Sequence, residues 1–206
     1  LKRDAFGGGP KNAEELLKAL EVCYGLRIGV TSTEEKWNAP AEWVHAMYFE
    51  KYEQLLAVAG RGSGKTVVAS ALTHLKCAHR ENYEVVHLGS RRDQADVAQK
   101  YLTQYADDPI LGAGLDNRGI GRKRAKWLST NSSWQIVSGT LAGVSGQHPH
   151  MLTLDELEFA EEQMVEQSWA VPMEKDGHKR LWAGFSTRQR SSSMMSKLTH
   201  AAETGE

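Results

Sequence analysis

The sequence predicts an α/β domain with a mostly parallel central sheet and helices on both faces. Three observations carry that prediction. Short apolar runs near 55–58, 83–88, 151–154 and 181–185 alternate with stretches of helical periodicity. The first run passes through a glycine-rich turn straight into a helix, and a later run ends in the adjacent acids Asp155 and Glu156.

The bulk properties narrow the class. A chain of 206 residues, 40% hydrophobic and 25% charged, suits one soluble globular domain with a real core. Its net charge of -1 supplies no global attraction to nucleic acid, so any such contact must be local. Cys23 and Cys77 lie far apart without metal-ligand spacing, which predicts no disulfide framework and an intracellular chain. No apolar run approaches the roughly 20 residues that span a bilayer, and no signal peptide is visible. The chain starts at Leu1 rather than Met, as expected of a fragment or a processed chain.

Taken in order, residues 1–10 read as a glycine-rich entry. Asn12 caps a predicted helix whose Leu16, Leu17, Leu20, Cys23 and Tyr24 recur at helical spacing, with Gly25 as its stop. A second helix starts near Pro40, with Val44, Met47 and Tyr48 on one face. Trp43 or Tyr48 can stack on a base, although packing is the simpler reading of both.

Ala59-Gly60-Arg61-Gly62-Ser63-Gly64-Lys65-Thr66 then lies between a strand and a helix. It matches the phosphate-binding pattern G-x-x-x-x-G-K-[ST] except at its first position, where Gly60 is expected to take over much of the turn from Ala59. Glycines at 60, 62 and 64, with Arg61 and Ser63, let successive amides converge on phosphate oxygens. Lys65 reaches the terminal phosphates, and the Thr66 hydroxyl is a ligand for Mg²⁺. The helix runs to about Arg80. A strand follows at 83–88, then a helix with Ala95, Ala98, Leu102 and Tyr105 on one face.

The stretch 111–119 reads as a loop, and 122–128 and 133–138 as two strands joined by a turn. Arg118, Arg122, Lys123, Arg124 and Lys126 form the strongest basic run in the chain. It suits phosphate contact, and equally a solvated hairpin edge. His148 and His150 have no Cys or carboxylate neighbour that would favour a metal site.

Met151 through Glu156 is an apolar strand ending in two acids, the Walker B pattern. Asp155 would hold Mg²⁺ through water, and Glu156 would orient and deprotonate a water attacking the γ-phosphate. Glu158, Glu161 and Glu162 read as the favourable first turn of the next helix. A last strand, 181–187, ends in Ser186 and Thr187, which suit either sensing of the γ-phosphate or an ordinary turn; a closing helix follows.

One further strand, 83–89, precedes the Walker B strand in sequence, and an acid follows Asp155. Together these indicate a P-loop NTPase of the additional-strand, catalytic-glutamate type. No Asn-Lys-x-Asp guanine-reading motif occurs, and a small-molecule kinase has no need of a water-activating glutamate.

On the loop at 59–66, Leu-Thr-Leu-Asp-Glu at 152–156 and the strand ending Ser186-Thr187, the sequence resembles the ATPase domain of terminase large subunits, the DNA-packaging motors of tailed phages. The resemblance implies ATP and Mg²⁺ as cofactors. It makes Lys65 and Thr66 phosphate and metal contacts, Asp155 the metal holder, Glu156 the base, Arg61 a phosphate contact or reporter, and Ser186 and Thr187 the coupling motif. It implies double-stranded DNA, a portal protein and a small terminase subunit as partners, a homo-oligomeric ring, no membrane, and the host cytoplasm as location. Ser145-Gly146 stands where family members often carry Arg-Gly, so Arg118, Arg122, Arg124 or Arg188 are candidates for DNA or trans contacts. Residues 1–206 are expected to form the ATPase half alone, with 1–39 a helical lead-in and 40–206 the core, and without the family's nuclease domain. A helicase-like or other DNA-remodelling ATPase, and a nucleotide-gated binding module without turnover, remain alternatives.

Overall fold

The computed structural model describes residues 8–32, 38–138, 148–187 and 194–204, apart from the side chains of Asn117, Arg122 and Met194. Helix α1 (Ala13–Tyr24) starts at its predicted cap, where Asn12 Oδ1 accepts the Glu15 amide at 2.9 Å, and stops at Gly25 with φ 68°. Helix α2 (Pro40–Tyr48) begins at Pro40, whose missing N–H costs nothing at the first helical position. Next come β1 (Gln54–Val58), α3 (Lys65–His79), β2 (Glu84–Gly89) and α4 (Arg92–Asp107). Strands β3 (Leu115–Asp116), β4 (Arg124–Trp127) and β5 (Ser132–Ser138) follow, with a 3₁₀ turn at Asn117–Arg122. The chain continues through β6 (Met151–Asp155), a 3₁₀ turn at Leu157–Phe159, α5 (Glu162–Trp169), β7 (Leu181–Ser186) and α6 (Met194–Thr204).

The strands form one sheet in the order β1-β7-β6-β2-β5-β4-β3. The first five run parallel; β4 is antiparallel to β5, and β3 to β4. Alternation along each strand splits the apolar side chains between two cores. Leu55, Val85, Met151, Ala183 and Phe185 pack with α1 to α4, whereas Leu56, Val86, Leu152, Leu154 and Trp182 pack with α5, α6 and the Leu157 turn. Helices therefore cover both faces, as the sequence predicts.

Four local expectations are corrected. The stretch 111–119 is not all loop: β3 pairs Leu115 with Trp127, but two residues are too short to show a strand period. The 124–127 strand is consequently an edge only in part, because β3 pairs with Lys126 and Trp127. Glu158 lies in a 3₁₀ turn and is 6% exposed, while the following α-helix starts only at Glu162. The strand inserted between the P-loop strand and the Walker B strand is β7, not 83–89, which lies on the far side of β6.

At the amino-terminal end of the parallel strands, α3 is clamped by buried charge. The fully buried Lys76 ammonium donates to Glu50 Oε1 at 3.0 Å and to the Tyr83 hydroxyl at 2.9 Å, and Arg80 pairs with the same carboxylate. Burial pulls Lys76 down to about 7, with Arg80 adding to the effect and Glu50 opposing it. Burial alone would raise the Glu50 carboxyl, but the charges of Lys76 and Arg80 hold it below its ordinary value. His150 is part of the same end: its Nδ1 accepts the Glu84 amide at 3.0 Å, its Nε2 donates to the Lys175 carbonyl at 3.1 Å, and its ring stacks on Tyr83. Glu50→Ala takes the shared anion from two basic groups, the buried Lys76 and Arg80, and should cost about 3–5 kcal/mol in denaturant unfolding. A loss below about 1 kcal/mol would match a solvated pair instead.

Candidate functional site

Four carboxyl-terminal strand tips and the loop after β1 converge at one rim of the sheet. The loop's turn is made by Gly62 and Gly64, whose φ values of 73° and 82° favour glycine. Gly60, expected to carry the turn, is not in that region of backbone space; a Cβ there would meet nothing within 4 Å. Gly64 caps α3, so the first amides of that helix open onto the loop's concavity.

Lys65 is folded inward. Its ammonium donates to the carbonyls of Ala59 and Gly60, both at 3.0 Å, and to Thr187 Oγ1 at 3.1 Å. Burial lowers its pKa, while the nearby Glu156 and Asp155 carboxylates raise it. The next residue, Thr66, donates its hydroxyl to Asp155 Oδ2 at 2.6 Å, and Asp155 Oδ1 accepts the Glu156 amide at 2.9 Å. Asp155 is 1% exposed at the tip of β6. Thr66 and Asp155 thus present hard oxygens side by side, a donor set suited to Mg²⁺ that keeps most of its waters. Among the described residues no cluster of three His, Cys, Asp or Glu side chains could hold a metal alone.

Glu156 leaves the strand in a left-handed conformation, φ 55° and ψ 53°. That conformation is strained for a residue with a side chain, and such strain is concentrated at functional sites. Burial raises its carboxyl, Asp155 pushes the same way, and Lys65 and Arg61 oppose. Its Oε2 is buried with no hydrogen-bond partner among the described residues.

The tip of β7 ties these parts together. The Ser186 carbonyl accepts the Ala59 amide at 3.1 Å, its buried Oγ accepts the Glu158 amide at 2.9 Å, and Thr187 holds Lys65. Two glycines permit the close approaches. A Cβ on Gly184 would lie 2.5 Å from Leu157, and one on Gly89 2.6 Å from the Ala95 backbone.

The structure therefore brings Lys65, Thr66, Asp155, Glu156, Ser186 and Thr187 to one place. Arg61 is exposed on the loop above them. Arg118 and Arg124 are not among them: both lie on the β3–β4 extension, where Arg118 pairs with Asp116 at 2.8 Å and Arg124 is exposed on β4. The side chain of Arg122, and Arg188 and Ser145-Gly146 entirely, lie outside the described residues. Trp43 packs edge-on against Phe185 and Tyr48 is buried, so both serve the core. Arg91, at the start of α4, is 62% exposed in its side chain and sits 5.9 Å from the Phe159 ring centroid. Sequence reasoning missed Glu158, and also His87 and Thr153, two polar side chains in otherwise apolar strands. That break in the apolar run was the available signal.

The fold is that of phage large-terminase ATPase domains. The crystal structure of the HK97 bacteriophage large terminase aligns with a TM-score of 0.66 at 14% identity, covering 95% of this chain and 42% of that one. A mutant form of the Thermus phage P74-26 large terminase ATPase domain aligns with a TM-score of 0.57 at 14% identity, covering 78% and 69%. This chain thus spans less than half the length of the HK97 protein. No family model matches the sequence, and no curated protein matches it. No helix among the described residues is long and apolar enough to cross a membrane.

Ser186→Ala removes the acceptor of a buried amide at the point where β7 meets the Glu158 turn. An orphaned donor there should cost about 1–3 kcal/mol in thermal or denaturant unfolding. A change near zero would mean that the Glu158 amide is satisfied otherwise.

Proposed function

We propose that this chain is the ATPase motor domain of a viral DNA-packaging terminase, hydrolysing ATP to translocate double-stranded DNA into a procapsid. The observation that carries the reading is the hydrogen bond between Thr66 and Asp155, with Glu156 beside it and Lys65 bound to the end of β7. A phosphate-binding loop, a strand-tip acid pair and a third strand are joined there by direct contacts. The likeness of fold to large terminases supports the wider role, and the motor would work as a homo-oligomeric ring with a portal protein and a small terminase subunit in the host cytoplasm.

In this reading the loop amides and Lys65 bind the β- and γ-phosphates. Thr66 and Asp155 hold Mg²⁺, which neutralises charge on the phosphate oxygens. Glu156 orients a water for in-line attack and accepts its proton. Its left-handed backbone sets the direction in which the side chain leaves β6, and Lys65 and Arg61 favour its charged form. Phosphoryl transfer asks for positioning and electrostatics more than covalent chemistry, so an arginine supplied by a neighbouring subunit would add orders of magnitude to the rate. The isolated chain is then a slow ATPase.

Two variants test this assignment by phosphate release and nucleotide binding in Mg²⁺ with double-stranded DNA. Glu156→Gln should bind ATP normally and lose hydrolysis by about 10²–10⁴-fold. Lys65→Ala should lose affinity for the nucleotide itself, and unchanged binding would count against the phosphate-loop reading. Wild type that binds ATP and never releases phosphate, even at concentrations that assemble rings, would instead be a nucleotide-gated binding module. Strand separation without any packaging partner would mark a helicase.

A further inference from the structure

Three alternate residues of β7, Trp182, Gly184 and Ser186, face the side of the sheet that carries α5 and α6. Together they form a seat for the turn that follows the acid pair. Ser186 Oγ accepts the Glu158 amide at 2.9 Å. Two residues back, Gly184 leaves a gap in the row of side chains, and Leu157 fills it. A Cβ on Gly184 would lie 2.5 Å from Leu157 Cδ1 and 2.5 Å from Trp182 Cη2. Glycine inside a strand marks such a close approach. Both neighbours are confined: Leu157 is fully buried, and Trp182 Nε1 donates to Ser168 Oγ at 2.7 Å. The Gly184 backbone is not in the left-handed region that favours glycine, so alanine there meets the collision and no backbone strain.

The same turn carries Glu156. Its left-handed conformation, φ 55° and ψ 53°, persists in a residue with a side chain only where the surroundings impose it. Asp155 Oδ1 accepts its amide at 2.9 Å, and its carbonyl accepts the Phe159 amide at 3.0 Å. The first bond ties Glu156 to the tip of β6, and the second closes the turn. Beyond these, the turn is fixed by β7, through Leu157 in the gap and Glu158 on Ser186.

We propose that Gly184 is a positioning residue for Glu156: by admitting Leu157 it locks the turn onto β7, and so sets the direction in which the Glu156 carboxylate leaves the rim. The inference rests on the reading of Glu156 as the base. Gly184 acts only through Leu157 and the backbone that joins it to Glu156. A shift of about 1 Å at a reacting group, imposed from a distance, can cost about 10²-fold in rate.

Single-turnover phosphate release in Mg²⁺ and ATP affinity would be measured on the 206-residue chain. Gly184→Ala should slow phosphate release by about 10²-fold and leave ATP affinity unchanged, because Lys65 and Thr66 belong to another loop. Combining Gly184→Ala with Leu157→Val moves the volume of one carbon from one side of the contact to the other, and volume-conserving changes are tolerated best. The double variant should recover most of the lost rate, whereas two independent injuries would make it slower than Gly184→Ala. Leu157→Ala empties the gap without a collision and serves where the alanine wedge unfolds the chain. It should slow release by at least about tenfold, again with ATP affinity kept. The inference is overturned if Gly184→Ala or Leu157→Ala releases phosphate at the wild-type rate, if either loses ATP affinity as much as rate, or if the double variant is no faster than Gly184→Ala. Wild type that releases no phosphate, or Glu156→Gln as fast as wild type, overturns the reading of Glu156 together with the inference. A wild type that needs Glu156 and is matched by Gly184→Ala overturns the inference alone.

Discussion

The hydrogen bond from Thr66 to Asp155 is the constraint around which the rest of the molecule is arranged. It joins the first turn of α3 to the tip of β6, so the helix must lie along the sheet with its amino terminus at the carboxyl rim. Fifteen residues of helix span about 22 Å, against about 17–20 Å for strands of five or six residues. One helix therefore crosses the full depth of the sheet. Its far end meets the Glu50 cluster, where Lys76 and Arg80 are held by one buried carboxylate. With both ends pinned by polar contacts of fixed geometry, α3 cannot slide along its apolar bed without breaking one of them.

Sheet topology follows from handedness. The connection from β1 to β2 uses α3 on one face, and that from β6 to β7 uses α5 on the other. Right-handed crossovers on opposite faces travel in opposite directions across a parallel sheet. The chain moves out past the site of β6 and then back, and β7 comes to rest between β6 and β1. This return puts Ser186 and Thr187 against the phosphate-binding loop. The basic β3–β4 extension grows at the other end of the sheet, which separates Arg118 and Arg124 from the loop by the intervening strands.

Much of this was legible in the residues. The cap at Asn12, the stop at Gly25 and the start at Pro40 are local chemistry, and each lies where its side chain dictates. The pairing of Thr66 with Asp155 was readable because the two motifs have fixed relative roles, whatever the distance between them in sequence. What escaped depended on nonlocal geometry. The strand between the loop strand and the acid strand was misassigned because order in sequence says nothing about which face a crossover uses. Glu158 read as the first turn of the next helix, but Gly184 has no side chain and lets the Leu157 turn settle onto β7, carrying Glu158 inward. The burden of the turn fell on Gly62 and Gly64 because the positive φ values occur there, and composition alone cannot separate three neighbouring glycines.

The contacts of Lys65 give the proposed cycle its first mechanical step. In this structure the ammonium is shared among two neutral carbonyls, the Thr187 hydroxyl and, at 3.5 Å, the Ser63 hydroxyl. A phosphate oxygen carries full charge, and a charge-assisted hydrogen bond is roughly twice as strong as a neutral one. In the proposed cycle an arriving phosphate would outcompete those partners, and Thr187 is the one that lies outside the loop that would wrap the ligand. Ser186 stays fixed, with its carbonyl on Ala59 and its hydroxyl on the Glu158 amide. The strand itself need not move. In the proposed cycle, occupancy of the nucleotide site would be passed on at Thr187, where β7 ends.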